Sequence, residues 1–192
     1  MALPLSACKG PISDTELQEI LSALLPKDAE LNGYIWGDAF TTAAPDSSEG
    51  VEDSRTPIYE AVSNSPYGSV EAFKADIESV YTEEICTIIF EYAFENSDSG
   101  MSRFCDDVDD EGKTVGIRMD VTNNHEPYKL TTTAYISSAR VKRSTSTMMD
   151  AEIDVTYLRE SGAVSDTIVI NLLNVEGVWK INSQTWIINA EQ

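Results

Sequence analysis

Leu17, Ile20, Leu21, Leu24 and Leu25 recur at the three- and four-residue steps that gather side chains on one face of an α-helix. Just ahead of them, Ser13-Asp14-Thr15-Glu16 has the form of a capping box: the Ser13 hydroxyl accepts from the Glu16 amide, the Glu16 carboxylate reaches back, and Ile12 can pack on Leu17 as a hydrophobic staple. Pro26 has no amide proton to donate, so the pattern predicts a helix over 13–25. Residues 33–40 follow as a short aromatic segment with strand character, 41–56 as a surface loop, and 57–62 as a strand closed by the turn cluster 64–68. Ser69 then caps a second helix in which Val70, Phe73, Ile77 and Val80 share a face. Thr82 opens a third, running to about Tyr92 and burying Ile85, Ile88, Ile89 and Tyr92, with Glu83 and Glu84 in the first turn, where the helix dipole favours anions.

From Met101 onward the period falls to 2. Strands are predicted over 114–121, 130–142, 148–158, 166–175 and 178–188, with Glu176-Gly177 as a tight turn. Ile153, Val155 and Tyr157 alternate with Glu152, Asp154 and Thr156, as on a sheet with one wet face. Helices first and an antiparallel meander afterwards predict an α+β domain, its N-terminal helices packed on a strongly curved antiparallel sheet. A length of 192 residues fits one such domain, taken as 13–192, with 1–12 as a tether.

Charge narrows the partners. The chain carries 33 Asp+Glu against 13 Lys+Arg, a formal net charge of −20, so nucleic acids and anionic lipid surfaces are repelled. Residues 1–100 hold 19 of the acids and 4 of the bases, so a cationic partner should meet the first half. Hydrophobic residues at 42% are too many for a disordered acidic tail, and no apolar run reaches the length of a membrane span.

Candidate chemistry is sparse. Leu5-Ser6-Ala7-Cys8 matches a lipoprotein box, which makes Cys8 the candidate lipid attachment site behind a truncated signal, and a lipid anchor there the expected membrane contact. That leaves Cys86 and Cys105 as an even pair able to form a disulfide in an oxidising compartment, or to stay reduced with Cys86 as a small buried apolar residue. Asp106, Asp107, Asp109, Asp110 and Glu111 form the densest acidic run. From Asp107 it begins like a calcium loop, but position 12 is Arg118 where a bidentate Glu should close the shell. The run therefore reads as a solvated hairpin loop and as a docking surface for a basic protein, with no metal site expected. Tyr34, Trp36, Trp179 and Trp186 are the candidate pocket lining, and Arg140, Lys142 and Arg143 read as an edge-strand guard. Phosphate-loop, dinucleotide, serine-hydrolase and His-Glu-x-x-His motifs are absent, and the single His125 lies in a turn-like stretch, so neither an enzyme nor a cofactor is expected.

The stretches 58–62, 68–74 (Gly-Ser-Val-Glu-Ala-Phe-Lys) and 79–84 (Ser-Val-Tyr-Thr-Glu-Glu), with Asp110-Glu111-Gly112-Lys113 and Gly177-Val178-Trp179-Lys180-Ile181, resemble the bacterial extracytoplasmic family typified by the peptidoglycan DL-endopeptidase inhibitor. The resemblance spans about residues 31–188. It departs at Val115-Gly116-Ile117-Arg118-Met119, where the family's strand is rich in Tyr and Arg. It implies a cystatin-like or nuclear-transport-factor-like cone, an extracytoplasmic location, and an exported non-enzymatic binding module that inhibits or regulates a cell-wall hydrolase. A small-ligand or enzymatic cone, and a structural surface lipoprotein domain, are the alternatives.

Overall fold

The computed structural model describes residues 11–37, 39–42, 58–95, 102–121, 132–159, 162–185 and 188–191. Helix α1 is Asp14–Ile35, ending ten residues beyond the position the apolar pattern predicts, and Pro26 lies inside it. The Ser13 hydroxyl accepts from the Glu16 amide at 3.2 Å, as the capping box requires. Continuation past Pro26 has a packing cause. Leu17, Leu21, Leu25, Leu31 and Ile35 are all fully buried, and Asp28 and Asn32 lie on the same stripe. Burying Leu31 and Ile35, at about 2 kcal/mol each, outweighs the one backbone bond that Pro26 cannot donate. The strand expected over 33–40 is therefore not formed: 33–35 are the last turn of α1, and no other described residue of that segment is in a strand. Residues far along the chain hold the helix in place: the Val141 amide donates to Asp14 at 2.7 Å, and Gln18 Nε2 donates to the Ser137 and Ala139 carbonyls.

Helices α2 (Val70–Val80) and α3 (Glu83–Ala93) meet at a two-residue corner. Ser69 caps α2 through the Ala72 amide, and Phe73, Ile77 and Val80 face inward as the periodicity predicts. In α3 the buried set is Ile85, Cys86, Ile89 and Ala93. Ile88 is exposed, and Tyr92 is half-buried, stacked on Trp36 at 4.1 Å. Phe73 sits at the centre of an aromatic cluster, stacked on Tyr67 at 4.4 Å and edge-on to Phe40, Phe94 and Phe104. One hydrophobic cluster joins these rings to α1 and to the sheets.

The strands are β1 (Tyr59–Ala61), β2 (Phe104–Val108), β3 (Thr114–Asp120), β4 (Thr132–Tyr135), β5 (Arg140–Ser144), β6 (Met148–Arg159), β7 (Gly162–Val175), β8 (Val178–Ile181) and β9 (Ile188–Glu191). They form two strongly curled sheets: a three-stranded one in the order β1-β3-β2, and a six-stranded one in the order β8-β7-β6-β4-β9, with β5 also on β6. The α+β class with helices on a curved, mainly antiparallel sheet holds. Beyond the division into two sheets and the unpredicted strand β2, three details differ from the pattern reading. The strand expected over 130–142 breaks at a 3₁₀ turn, Ile136–Ser138, which lets Ile136 drop into the core. The strand expected over 178–188 breaks after Ile181, because Asn182 and Thr185 are drawn into side-chain hydrogen bonds. And β9 pairs parallel to β4, where a meander would be antiparallel throughout. In β6 the alternation is as predicted, with Met149, Ala151, Ile153 and Val155 buried.

Candidate functional site

At the corner between α2 and α3 the chain touches the end of the large sheet. Tyr81, extended at φ −107 and ψ 157, ends α2, and its amide bonds the Ile77 carbonyl at 3.0 Å. Tyr81 also bridges parallel to Ile181, and the Thr82 amide donates to the Ile181 carbonyl at 3.0 Å. Thr82 occupies the N-cap of α3, but its hydroxyl makes no capping bond and donates instead to Asn182 Oδ1 at 2.6 Å. From there a polar chain continues: Asn182 Nδ2 to Asn171 Oδ1 at 3.0 Å, Asn171 Nδ2 to Asp150 Oδ1 at 2.8 Å, and Arg143 onto Asp150 Oδ2. These bonds tie the helical corner to β8, β7, β6 and β5 in turn.

The corner and the sheet enclose an open groove of about 690 Å³. Phe90, Leu173 and Val175 supply apolar lining, and Glu78, Glu83 and Glu84, all exposed, stand around it. Lys180 also lines it, but its ammonium is bound to the Glu78 carbonyl at 2.7 Å, at the negative end of α2. Three carboxylates against one engaged ammonium give the groove a negative potential over an apolar lining. Cys86 lies in its wall, with Sγ 3.7 Å from the Tyr81 carbonyl. Burial, with Glu78 nearby, pushes the Cys86 thiol up to about 11, so at neutral pH it stays protonated and a poor nucleophile.

Beneath the corner is a buried polar cluster with no local signature in the sequence. Asp28 Oδ1 accepts from the Tyr81 hydroxyl at 2.7 Å and from the Thr185 hydroxyl, while Asn32 Nδ2 donates to the Thr185 carbonyl at 3.2 Å. Asp28 Oδ2 is buried with no hydrogen-bond partner among the described residues. Burial raises the Asp28 carboxyl from 3.8 to about 7, against the opposing pull of the three hydrogen-bonding side chains. The Tyr81 phenol is pushed well above its usual 10 by burial and by Asp28, so it remains a donor. The cluster clasps α1, the helical corner and the segment after β8 together.

The residues picked from the sequence divide differently. The acidic run is split by the β2–β3 hairpin. Asp106 accepts the Val70 amide at 2.7 Å at the start of α2, Asp107 lies 3.8 Å from Arg118, and Asp109 accepts from the Glu111 and Lys113 amides within its own turn. Asp110 and Glu111 are left facing water at the tip. The run and the groove lie at opposite ends of α2, roughly 15 Å apart by helix rise. Among the described residues no group of three or more His, Cys, Asp or Glu is placed to hold a metal ion.

Of the aromatic candidates, Tyr34 stacks on Phe40 at 4.4 Å, Trp36 is buried against Tyr92, and Trp179 packs on the core, and none of the three lines this groove. Trp186 and Cys8 lie outside the described residues. Cys86 and Cys105 are free thiols, one on the inner face of α3 and the other on β2 opposite Arg118, which is the reduced state of the two that the sequence left open. Arg140, Lys142 and Arg143 are each paired with Glu152, Asp154 or Asp150 on the neighbouring strand. Among the described residues no helix is long and apolar enough to cross a membrane.

No protein-family model matches this chain, and no curated protein matches it.

Proposed function

We propose that the chain is an exported, non-enzymatic module that binds a cationic protein, and that its partner is a cell-wall hydrolase of the kind implied by the motifs of the helical half. The observation that supports this reading is the groove at the α2–α3 corner, with three exposed carboxylates around an apolar lining. That arrangement suits a segment bearing Lys or Arg beside one apolar anchor. Among the described residues most of the other cations are engaged, with Lys113 exposed on the β2–β3 hairpin. Lys27, Lys74, Arg118, Arg140, Lys142 and Arg143 are in ion pairs with the chain's own carboxylates, and Arg103 is buried against Tyr92 and the Gly37 carbonyl. The hairpin tip at Asp110 and Glu111 adds a second negative point at the far end of α2.

The test is capture of a purified peptidoglycan endopeptidase catalytic domain on the immobilised chain at low and high salt. Binding at low salt that weakens as salt rises is expected, as is a loss of about tenfold in the double variant Glu83→Gln, Glu84→Gln. No capture at low salt, or capture indifferent to salt and to the variant, overturns the proposal.

A further inference from the structure

Strand β7 is longer than the strand beside it. One side of Gly162–Leu173 is paired residue for residue with β6, but β8 covers only Leu172–Val175 on the other side. The orientation of the uncovered side follows from bonds at its end. Asn171 accepts the Asn182 amide on its carbonyl and donates its own amide to Ser183 Oγ, both on the β8 side, whereas the Asn174 amide goes to Thr147 on the β6 side. Strand backbone alternates. Ala163, Ser165, Thr167 and Val169 therefore aim their amides and carbonyls away from β6, along an edge that no described strand covers. The residues around it are open to water, with Val169 44% exposed.

Edges of this kind are ordinarily blunted by Lys, Pro, a bulge or a covering element. Strand β5 shows such protection: it carries Arg140, Lys142 and Arg143, its register shifts, and Asp14 of α1 takes the Val141 amide. Along 162–170 there is no Lys, Arg or Pro, and the pairing with β6 has no register shift. The charged side chain of that stretch is Asp166, whose Oδ1 accepts the Thr167 amide at 2.8 Å, while the Thr167 hydroxyl donates to Asp154 at 3.0 Å. Of these two carboxylates Asp166 stands at the middle of the open edge, while Asp154 lies one strand inward on β6 and is paired with Arg140.

We propose that the free edge of β7, from Ala163 to Ile170, receives an extended polypeptide segment carrying basic side chains, which adds antiparallel as a further strand of the large sheet. The open stretch is roughly 25 Å long, enough for a strand of ordinary length. Backbone groups of the incoming segment satisfy the outward carbonyls and the outward amides of Ala163, Ser165 and Val169 and take over the Thr167 amide from Asp166, and its cations meet the Asp166 carboxylate so released. A second copy of this chain is the poorer occupant, because each copy brings a net charge of −20. The site is separate from the groove at the α2–α3 corner and does not depend on the hydrolase as partner.

The test titrates the intact protein with a synthetic peptide of alternating Lys and Val, about eight residues long to match the open stretch. Two control peptides carry N-methyl groups on alternate amides, or Glu in place of Lys. The variants are Ser165→Pro, which removes an outward amide and leaves the β6 ladder intact, and Val169→Lys, which supplies the missing guard. Binding of the Lys-Val peptide is expected to weaken by at least about tenfold on N-methylation, in each variant and for the Glu peptide. Should Ser165→Pro fail to fold, Val169→Lys and the N-methylated peptide decide the matter alone. Equal binding of the methylated and unmethylated peptides, or of wild type and Val169→Lys, would show plain charge attraction and overturn the proposal. So would sedimentation showing a dimer that Val169→Lys dissociates, because the edge would then be filled by a second copy.

Discussion

Substituting Asp28 by asparagine keeps the shape of the side chain and removes its charge. Asp28 is fully buried, and burial lifts its carboxyl from 3.8 to about 7. A carboxyl that holds its proton more tightly folded than unfolded stabilises the fold most below pH 3.8, and that contribution is lost as pH rises through about 7. At about 1.36 kcal/mol per pH unit the whole window amounts to roughly 4 kcal/mol, of which about 3 kcal/mol lies between pH 5 and pH 8. Asparagine can still accept from Tyr81 and Thr185, and its amide group falls where Oδ2 has no partner, a cost of about 1–3 kcal/mol that does not vary with pH. The assay is urea unfolding of wild type and Asp28→Asn followed by tryptophan fluorescence at pH 5 and pH 8. Taking the difference between the two proteins at each pH cancels the self-repulsion that the other carboxylates add to both. Relative to wild type, the variant is expected to gain about 3 kcal/mol on going from pH 5 to pH 8. A difference that stays constant across that range would mean that Asp28 is not the buried acid inferred, and the clasp would need another explanation.

Phe73→Ala removes the ring at the centre of the aromatic cluster and should cost about 3–5 kcal/mol in urea unfolding; a loss below about 1 kcal/mol would contradict its packing against five neighbouring rings. Pro26→Ala restores the missing backbone donor within α1 and should raise stability by about 1–2 kcal/mol, whereas a fall would show that the helix needs its interruption there. Native-state alkylation should label Cys105 faster than Cys86, whose thiol burial pushes up to about 11, and mild oxidation should leave both reduced by mass spectrometry. Ready formation of a bridge between them would refute their placement.

The parts of the fold that depend on neighbours in sequence were legible in it. Ser13 and Glu16, the inward face of α2 and the alternation of β6 each follow from a spacing of two to four residues, and the structure reproduces them. The misreadings arise where distant packing overrides a local rule. Pro26 marks a helix end by its own chemistry, yet Leu31 and Ile35 find core partners only if the helix continues. Asp106 and Asp107 look like loop because they are acidic, yet they belong to β2, one accepting the first amide of α2 and the other beside Arg118. The candidate site was nearly invisible for the same reason. The groove draws residues from α2, α3, β7 and β8, and the clasp joins Asp28 to residues 53 and 157 positions away. With Pro26 read as the end of the helix, nothing in the local pattern places Asp28 on the buried stripe of α1.

The stitching of α1 bears on how the chain is assembled. Val141 and Thr185, which hold the helix at Asp14 and Asp28, lie 127 and 157 positions downstream. A ribosome delivers α1 long before either anchor, so the nascent rod can coil locally and meet α2 but is fastened at neither Asp14 nor Asp28. Closing loops of that span is slow, and the interval leaves the chain pliable enough for a holding chaperone to engage it. Only arrival of the segment bearing Thr185 locks the rod down and ends that opportunity.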